Sequence, residues 1–374
     1  ALPRSSWDDY DRSLISEGGG VWPRSAKSIP VSEQARVALG LAADVTRLDP
    51  AAMIRAILCA PVTLLWNGGI GTYVKASNES HADAGDKAND GVRVDGSALR
   101  AAAVGEGGNL GLTQRGRIQY AASGGKINTD ALDNSAGVSC SDHEVNLKIL
   151  LDGLVEDETL TRHARDELLV AMTGEVSRLV LADNILQNDV LGVARSHARP
   201  MIGVHGRIIG ELETARGLHR RLEALPDADE LLTREELGTG LTSPELATLL
   251  AHVKLALADD IAASPLPDDA CLAEHLTSYF PNAIRQRFPD SIRNHPLRRE
   301  IITTSFANQV VNGGGVSYVS RLANETGATS TDAARAFHIV TAVFGLDDLT
   351  SRIGELDALL PHDVTDRLTL VGRR

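Results

Sequence analysis

Two glycine-flanked asparagines carry the side chains of this chain best suited to binding chemistry. Asn109 closes Glu106-Gly107-Gly108-Asn109, and Asn134 opens Asn134-Ser135-Ala136-Gly137-Val138. A carboxamide both donates and accepts hydrogen bonds, and glycines beside it let a ligand reach backbone amides without meeting a Cβ. Each asparagine follows a short apolar run and is followed by a residue able to start a helix. Backbone amides and carboxamides at the carboxyl ends of strands are what a dinucleotide and a small acid need. A third turn, Asn67-Gly68-Gly69, closes the apolar run 62–66 in a similar way. Taken singly, each of these is also what an ordinary strand-exit turn contains, because asparagine tolerates the left-handed conformation.

Ser141 and Glu144 stand three residues apart, just beyond the second turn. Their spacing predicts a capping box, in which the hydroxyl and the carboxylate each take one helix amide. A helix start also offers free amides and partial positive charge, so a serine there can hold a carboxylate. His143 is read as a packing or solvent-facing histidine rather than a general base, and Glu106 as a structural carboxylate. His163, His205 and His252 lack metal-ligand spacing, and HExxH is absent. Cys59, Cys140 and Cys271 lie far apart with no CxxC, which argues against a zinc site or a disulfide framework and for a reducing cytoplasm.

The elements that must position these residues follow from pattern. Asp49-Pro50 opens a helix with apolar residues at Met53, Ile54, Ile57 and Leu58. Strands are expected over 62–66, 101–104 and 127–132, with a polar surface loop over 76–97. Between the last two strands Thr113 caps a helix that Gly124-Gly125 stops. Strand, glycine turn, helix, strand is the grammar of a parallel α/β sheet with right-handed crossovers. Beyond residue 150 strand patterns give way to helical periodicity, as in Leu246, Leu249, Leu250 and Val253, and Ser243-Pro244-Glu245 reads as a helix start. The fold expected is therefore α/β followed by all-α: a partial Rossmann-like parallel sheet, then a carboxyl-terminal helical domain.

Bulk properties narrow the function classes. Against 37 Lys+Arg stand 50 Asp+Glu, a net charge of -13, and aromatics are 3% of residues, so neither a basic nor a stacking surface for nucleic acid is expected. Arg220-Arg221 and Arg298-Arg299 lie among acids and read as solvated helix faces. No apolar run reaches membrane-span length and no signal peptide is visible, so no membrane partner is expected.

At the asparagine turns the sequence resembles the glutamate dehydrogenases, most closely the very large NAD-specific bacterial class. The family pattern runs E-G-A-N-x-P-T, a helix, D-x-x-A-N, then A-G-G-V-x-x-S-x-x-E. Here it reads Glu106-Gly107-Gly108-Asn109 and Thr113, then Asp133-Asn134, Ala136-Gly137-Val138, Ser141 and Glu144. The run from Trp66 through Asn67, Gly68 and Gly69 to Lys75, and the segment LPRSSWDDYDRSLIS near the start, resemble the large class specifically. The chain departs where Gly111-Leu112 precede Thr113 in place of the family's proline, and where Ser135-Ala136 replace Ala-Gly.

The resemblance implies NAD as cofactor and L-glutamate and 2-oxoglutarate as partners, in a full-length parent that is a homo-oligomer. It places Asn109 at the nicotinamide ribose, with Gly107, Gly108, Asn67 and Gly68 among the NAD-binding positions. Asn134 falls at the nicotinamide or at the substrate's main-chain end, and Ser141 at the side-chain carboxylate of glutamate. No GxGxxG and no glycine-rich segment with a reactive lysine occur in the required context. In the family these precede the region seen here, so the catalytic residues are expected upstream of Ala1, and the chain reads as the carboxyl-terminal portion of a longer enzyme, inactive alone. Residues 1–150 would then end the NAD-binding and catalytic domain, and 151–374 form the helical domain. Alternatives are a dehydrogenase for another amino acid, or a non-catalytic nucleotide-fold module whose helical half mediates assembly.

Overall fold

The computed structural model describes residues 6–357 and 359–373. Two compact units divide the chain, Ala1–Asp133 and Asn134–Arg374.

The amino-terminal unit holds short strands β1 (Ile29–Pro30), β2 (Arg47–Leu48), β3 (Leu64–Asn67), β4 (Val74–Lys75), β5 (Val94–Asp95) and β6 (Ala103–Glu106). Its helices are α1 (Glu33–Ala38), α2 (Pro50–Leu58), α3 (Gln114–Ala122) and α4 (Asp130–Asp133). As expected, Asp49 caps α2 with Pro50 in its first turn, and the Thr113 hydroxyl caps α3 by accepting from the Gly116 amide. β3 and β6 pair in parallel, with Leu64 opposite Ala103 and Asn67 opposite Glu106. Val74, Val94, Leu99, Val104, Leu112, Tyr120 and Ile127 form the core, and the Tyr120 hydroxyl donates to the Ala101 carbonyl at 2.7 Å.

Two expectations change. The third strand over 127–132 does not form: Lys126 alone bridges Ala103 in parallel, and the chain turns into α4. Tertiary hydrogen bonds decide this, since Asp130 and Asp133 reach back to amides beside β6. The polar stretch 76–97 is not only a surface loop, for β5 within it pairs in parallel with β4. The side chain of Arg93 is buried at its edge, held by Asp90 at 2.6 Å.

Among the described residues, the second unit has only helices as its regular elements. It runs α5 (Ser135–Glu156), α6 (Arg162–Ser196), α7 (Ile202–Arg216), α8 (Ala228–Glu236), α9 (Ser243–Ala262), α10 (Ala273–Tyr279), α11 (Asn282–Arg287) and α12 (Pro289–Arg293). α13 (Arg298–Gly314), α14 (Tyr318–Thr326), α15 (Ser330–Phe344), α16 (Leu346–Asp357) and α17 (His362–Gly372) complete it. α5 packs on α6, and α9 on α13, around Leu151, Leu246, Leu249, Leu250, Phe280, Phe306 and Val310. As expected, α9 starts at Ser243 with Pro244 in its first turn, and its N-cap is Thr242, whose partner in a capping box is Glu245. No described helix is long and apolar enough to cross a membrane.

Candidate functional site

Parallel register decides where the first two asparagine turns meet. Because Asn67 lies opposite Glu106, both strands end at the same edge, and the loops Asn67-Gly68-Gly69 and Gly107-Gly108-Asn109 leave it side by side. The amides of Gly107 and Gly108 both donate to the Asn67 carbonyl, at 2.9 and 3.0 Å. A Cβ on Gly108 would stand 2.4 Å from the Gly69 carbonyl oxygen, and one on Gly111 would stand 1.7 Å from Asn67 Nδ2. Glycine is therefore required at 108 by close backbone approach, and at 111 a side chain would displace the Asn67 carboxamide. Asn67 Nδ2 is buried without a hydrogen-bond partner among the described residues, whereas Asn109 is exposed at the loop tip.

A buried ionic network beneath the second loop holds it in place. The Glu106 carboxylate is fully buried and takes Arg117 Nε at 2.7 Å and Nη2 at 2.9 Å, plus the Leu112 amide at 3.2 Å. Arg117 also reaches Asp130 at 3.2 Å, while the Glu106 amide donates to Asp133 at 3.0 Å. Leu110, in the left-handed region at φ 58, is strapped on both sides: its amide donates to Asp130 at 2.7 Å and its carbonyl accepts from the Thr72 hydroxyl at 2.7 Å. Burial works against the Arg117 charge, but Glu106 and Asp130 hold its pKa above the ordinary guanidinium value. Burial lifts the Asp133 carboxyl, against the pull of the Glu106 amide and Asn128. Glu106 is thus the structural carboxylate its sequence context suggested. Arg117, Asp130 and Leu110 were missed. The available signal was a charged Arg117 on the buried side of α3 at i, i+3 spacing from Tyr120, which an apolar-stripe search passes over.

The remaining candidates lie in the helical unit. Asn134 is the half-buried N-cap residue of α5, its carbonyl accepting from the Gly137 amide at 3.0 Å. Ser141 is exposed, yet it is not at a helix start, because α5 already begins at Ser135. The expected capping box between Ser141 and Glu144 is therefore absent: the Glu144 carboxylate turns forward to pair with Lys148. The start of α5 and its first-turn amides lie before Ser141, which has only its hydroxyl to offer a ligand. His143 is a packing histidine, 4% exposed and stacked on Tyr279 at 4.2 Å, with burial pushing its pKa down.

The chain also has recognisable relatives. Residues 1–194 match a family model described as bacterial NAD-glutamate dehydrogenase, catalytic domain, and residues 238–374 match one described as glutamate dehydrogenase, C-terminal. The NAD-specific glutamate dehydrogenase of Mycobacterium tuberculosis is 54% identical over 377 residues, covering 100% of this chain and 23% of that protein. Those of Halomonas elongata and Pseudomonas aeruginosa are 48% and 47% identical, covering 97% and 100% of this chain. The chain thus spans 22–23% of the length of these curated relatives.

Proposed function

The chain belongs to the bacterial NAD-glutamate dehydrogenase family, and on that premise we propose that it is the carboxyl-terminal part of an NAD-dependent glutamate dehydrogenase. The whole enzyme would convert L-glutamate to 2-oxoglutarate and ammonia and act as a homo-oligomer. In this reading residues 1–150 end the NAD-binding and catalytic domain, 151–374 are the helical domain, and β3 and β6 are two strands of a Rossmann-like sheet. The observation that carries the proposal is the side-by-side exit of two glycine-asparagine loops from the carboxyl ends of parallel strands, where such sheets bind dinucleotides. Further support comes from Leu64 and Trp66, 55% and 60% exposed on one face of β3, since parallel strands are ordinarily covered on both faces.

The residues present fit NAD by their chemistry. Gly107 and Gly108 hold the loop tight against Asn67 and Gly69, Asn109 offers a carboxamide at the loop tip to the nicotinamide ribose, and Asn67 and Gly68 form the adjoining loop. When bound, NAD supplies the hydride acceptor. Ser141 offers an exposed hydroxyl to the side-chain carboxylate of glutamate, and Asn134 a carboxamide at the head of the same helix. Steady-state NADH formation by the full-length polypeptide tests the reading. Ser141→Ala should raise KM for glutamate about tenfold or more with little change in KM for NAD, as expected for a lost hydrogen bond to a charged group. Asn109→Ala should do the reverse. A full-length protein that forms no NADH from glutamate overturns the proposal.

A further inference from the structure

Within the helical unit lies a cavity of about 950 Å³, a size that accommodates a small molecule. One wall is the α5 face bearing Ser139, Asp142, His143 and Asn146. At about 100° per residue these four share one arc of the helix, and Ser141 projects roughly 150° away from its centre. The cavity therefore lies on the opposite side of α5 from the serine assigned above to the substrate carboxylate.

Its lining is built in a way that core packing does not require. His143, Asn146 and Thr341, each 4% exposed, line the cavity, and each carries a buried atom with no hydrogen-bond partner among the described residues: Nδ1, Oδ1 and Oγ1 respectively. Gln309 Oε1 and Asn312 Oδ1, on half-buried lining residues of α13, also lack a partner among the described residues. Buried polar atoms are nearly always partnered, so several on residues that line one space mark a place where a polar guest could complete the hydrogen bonding. The charge lining that space is acidic. Asp142, Asp183, Glu274, Glu300 and Asp347 line it, against the one guanidinium of Arg373, which already faces Asp189 and Asp366. Aromatic rings contribute as well: Tyr279 stacks on His143, and Tyr318 meets Phe337 edge-on at 5.6 Å. Carboxylates, amide oxygens and aromatic faces together are the chemistry that recognises an organic ammonium group.

We propose that this cavity is a binding site for a small organic cation bearing an ammonium group, held by Asp142, Asn146 and Thr341 and by the aromatic rings along its walls. The inference does not depend on which substrate the whole enzyme takes. Calorimetric titration of the full chain with 1,4-diaminobutane, and with 1,4-butanediol as its uncharged counterpart, tests it. The diamine should bind at a single site, raise the melting temperature and weaken as salt is added, and the diol should give no heat. Thr341→Val keeps the shape and removes an unpartnered hydroxyl. It should leave the free chain as stable or more so, yet weaken the diamine about tenfold, and Asp142→Asn should weaken it at least as much. Diol binding equal to diamine binding, heat from neither, or a diamine affinity untouched by both substitutions would overturn the proposal.

Discussion

The Glu106–Arg117 pair shows what single residues contribute to the loop Gly107-Gly108-Asn109. Two carboxylates converge on one guanidinium in a buried setting, and removing one partner leaves the other charged and without compensation. Arg117→Met should therefore lower the stability of the chain by about 3–5 kcal/mol in urea unfolding. The double variant Glu106→Gln/Arg117→Met should recover a measurable part of that loss, and if it recovers none the pair is not what Arg117 supports. Sequence made Glu106 legible because it ends an apolar run beside glycines. It left Arg117 illegible, because a buried arginine looks like any exposed one until its partners are placed.

Elements show a different division. Strand-ending turns and N-caps with a local hydrogen bond, such as Asp49 on α2 and Thr113 on α3, were readable because cap and amide lie within three residues. The Ser141–Glu144 spacing misled for a related reason. A serine three residues before a glutamate also recurs inside helices, and nothing in 135–140 stops α5 from starting earlier. At α9 the true box is Thr242–Glu245, and Glu245, fully buried, also takes both terminal nitrogens of Arg234 at 2.9 and 2.8 Å. Thr242→Ala should cost about 1 kcal/mol in thermal or urea unfolding. Glu245→Ala should cost about 3 kcal/mol or more, because Arg234 then loses its buried counter-charge. Equal losses for the two would show that the Arg234 pair adds nothing to the cap.

At the scale of the whole molecule, burial of histidines in the helical unit ties stability to pH. His205 is 2% exposed and desolvation pulls its pKa down to about 4; His275, desolvated and beside His338, is also pulled to about 4. A folded pKa below the unfolded value means that the unfolded chain takes up the proton first as pH falls. The contribution is intact above about pH 6.5 and is lost progressively down to about pH 4, worth on the order of 3 kcal/mol for His205. The urea midpoint should fall through that window, and His205→Leu should flatten the fall; an unchanged slope would remove His205 as its cause.

Sequence by itself determined the order of an α/β segment and a helical one, the glycine-asparagine turns, and the family, because periodicity, local caps and motif spacing are written in neighbouring residues. Tertiary structure alone decided that 127–132 is not a strand, that β5 pairs with β4, that Arg117 underlies the loop carrying Asn109, and that α5 turns a polar face to a cavity. Those outcomes depend on partners distant along the chain, and the energy of a buried charge or an unmet hydrogen bond is set by what folding brings beside it.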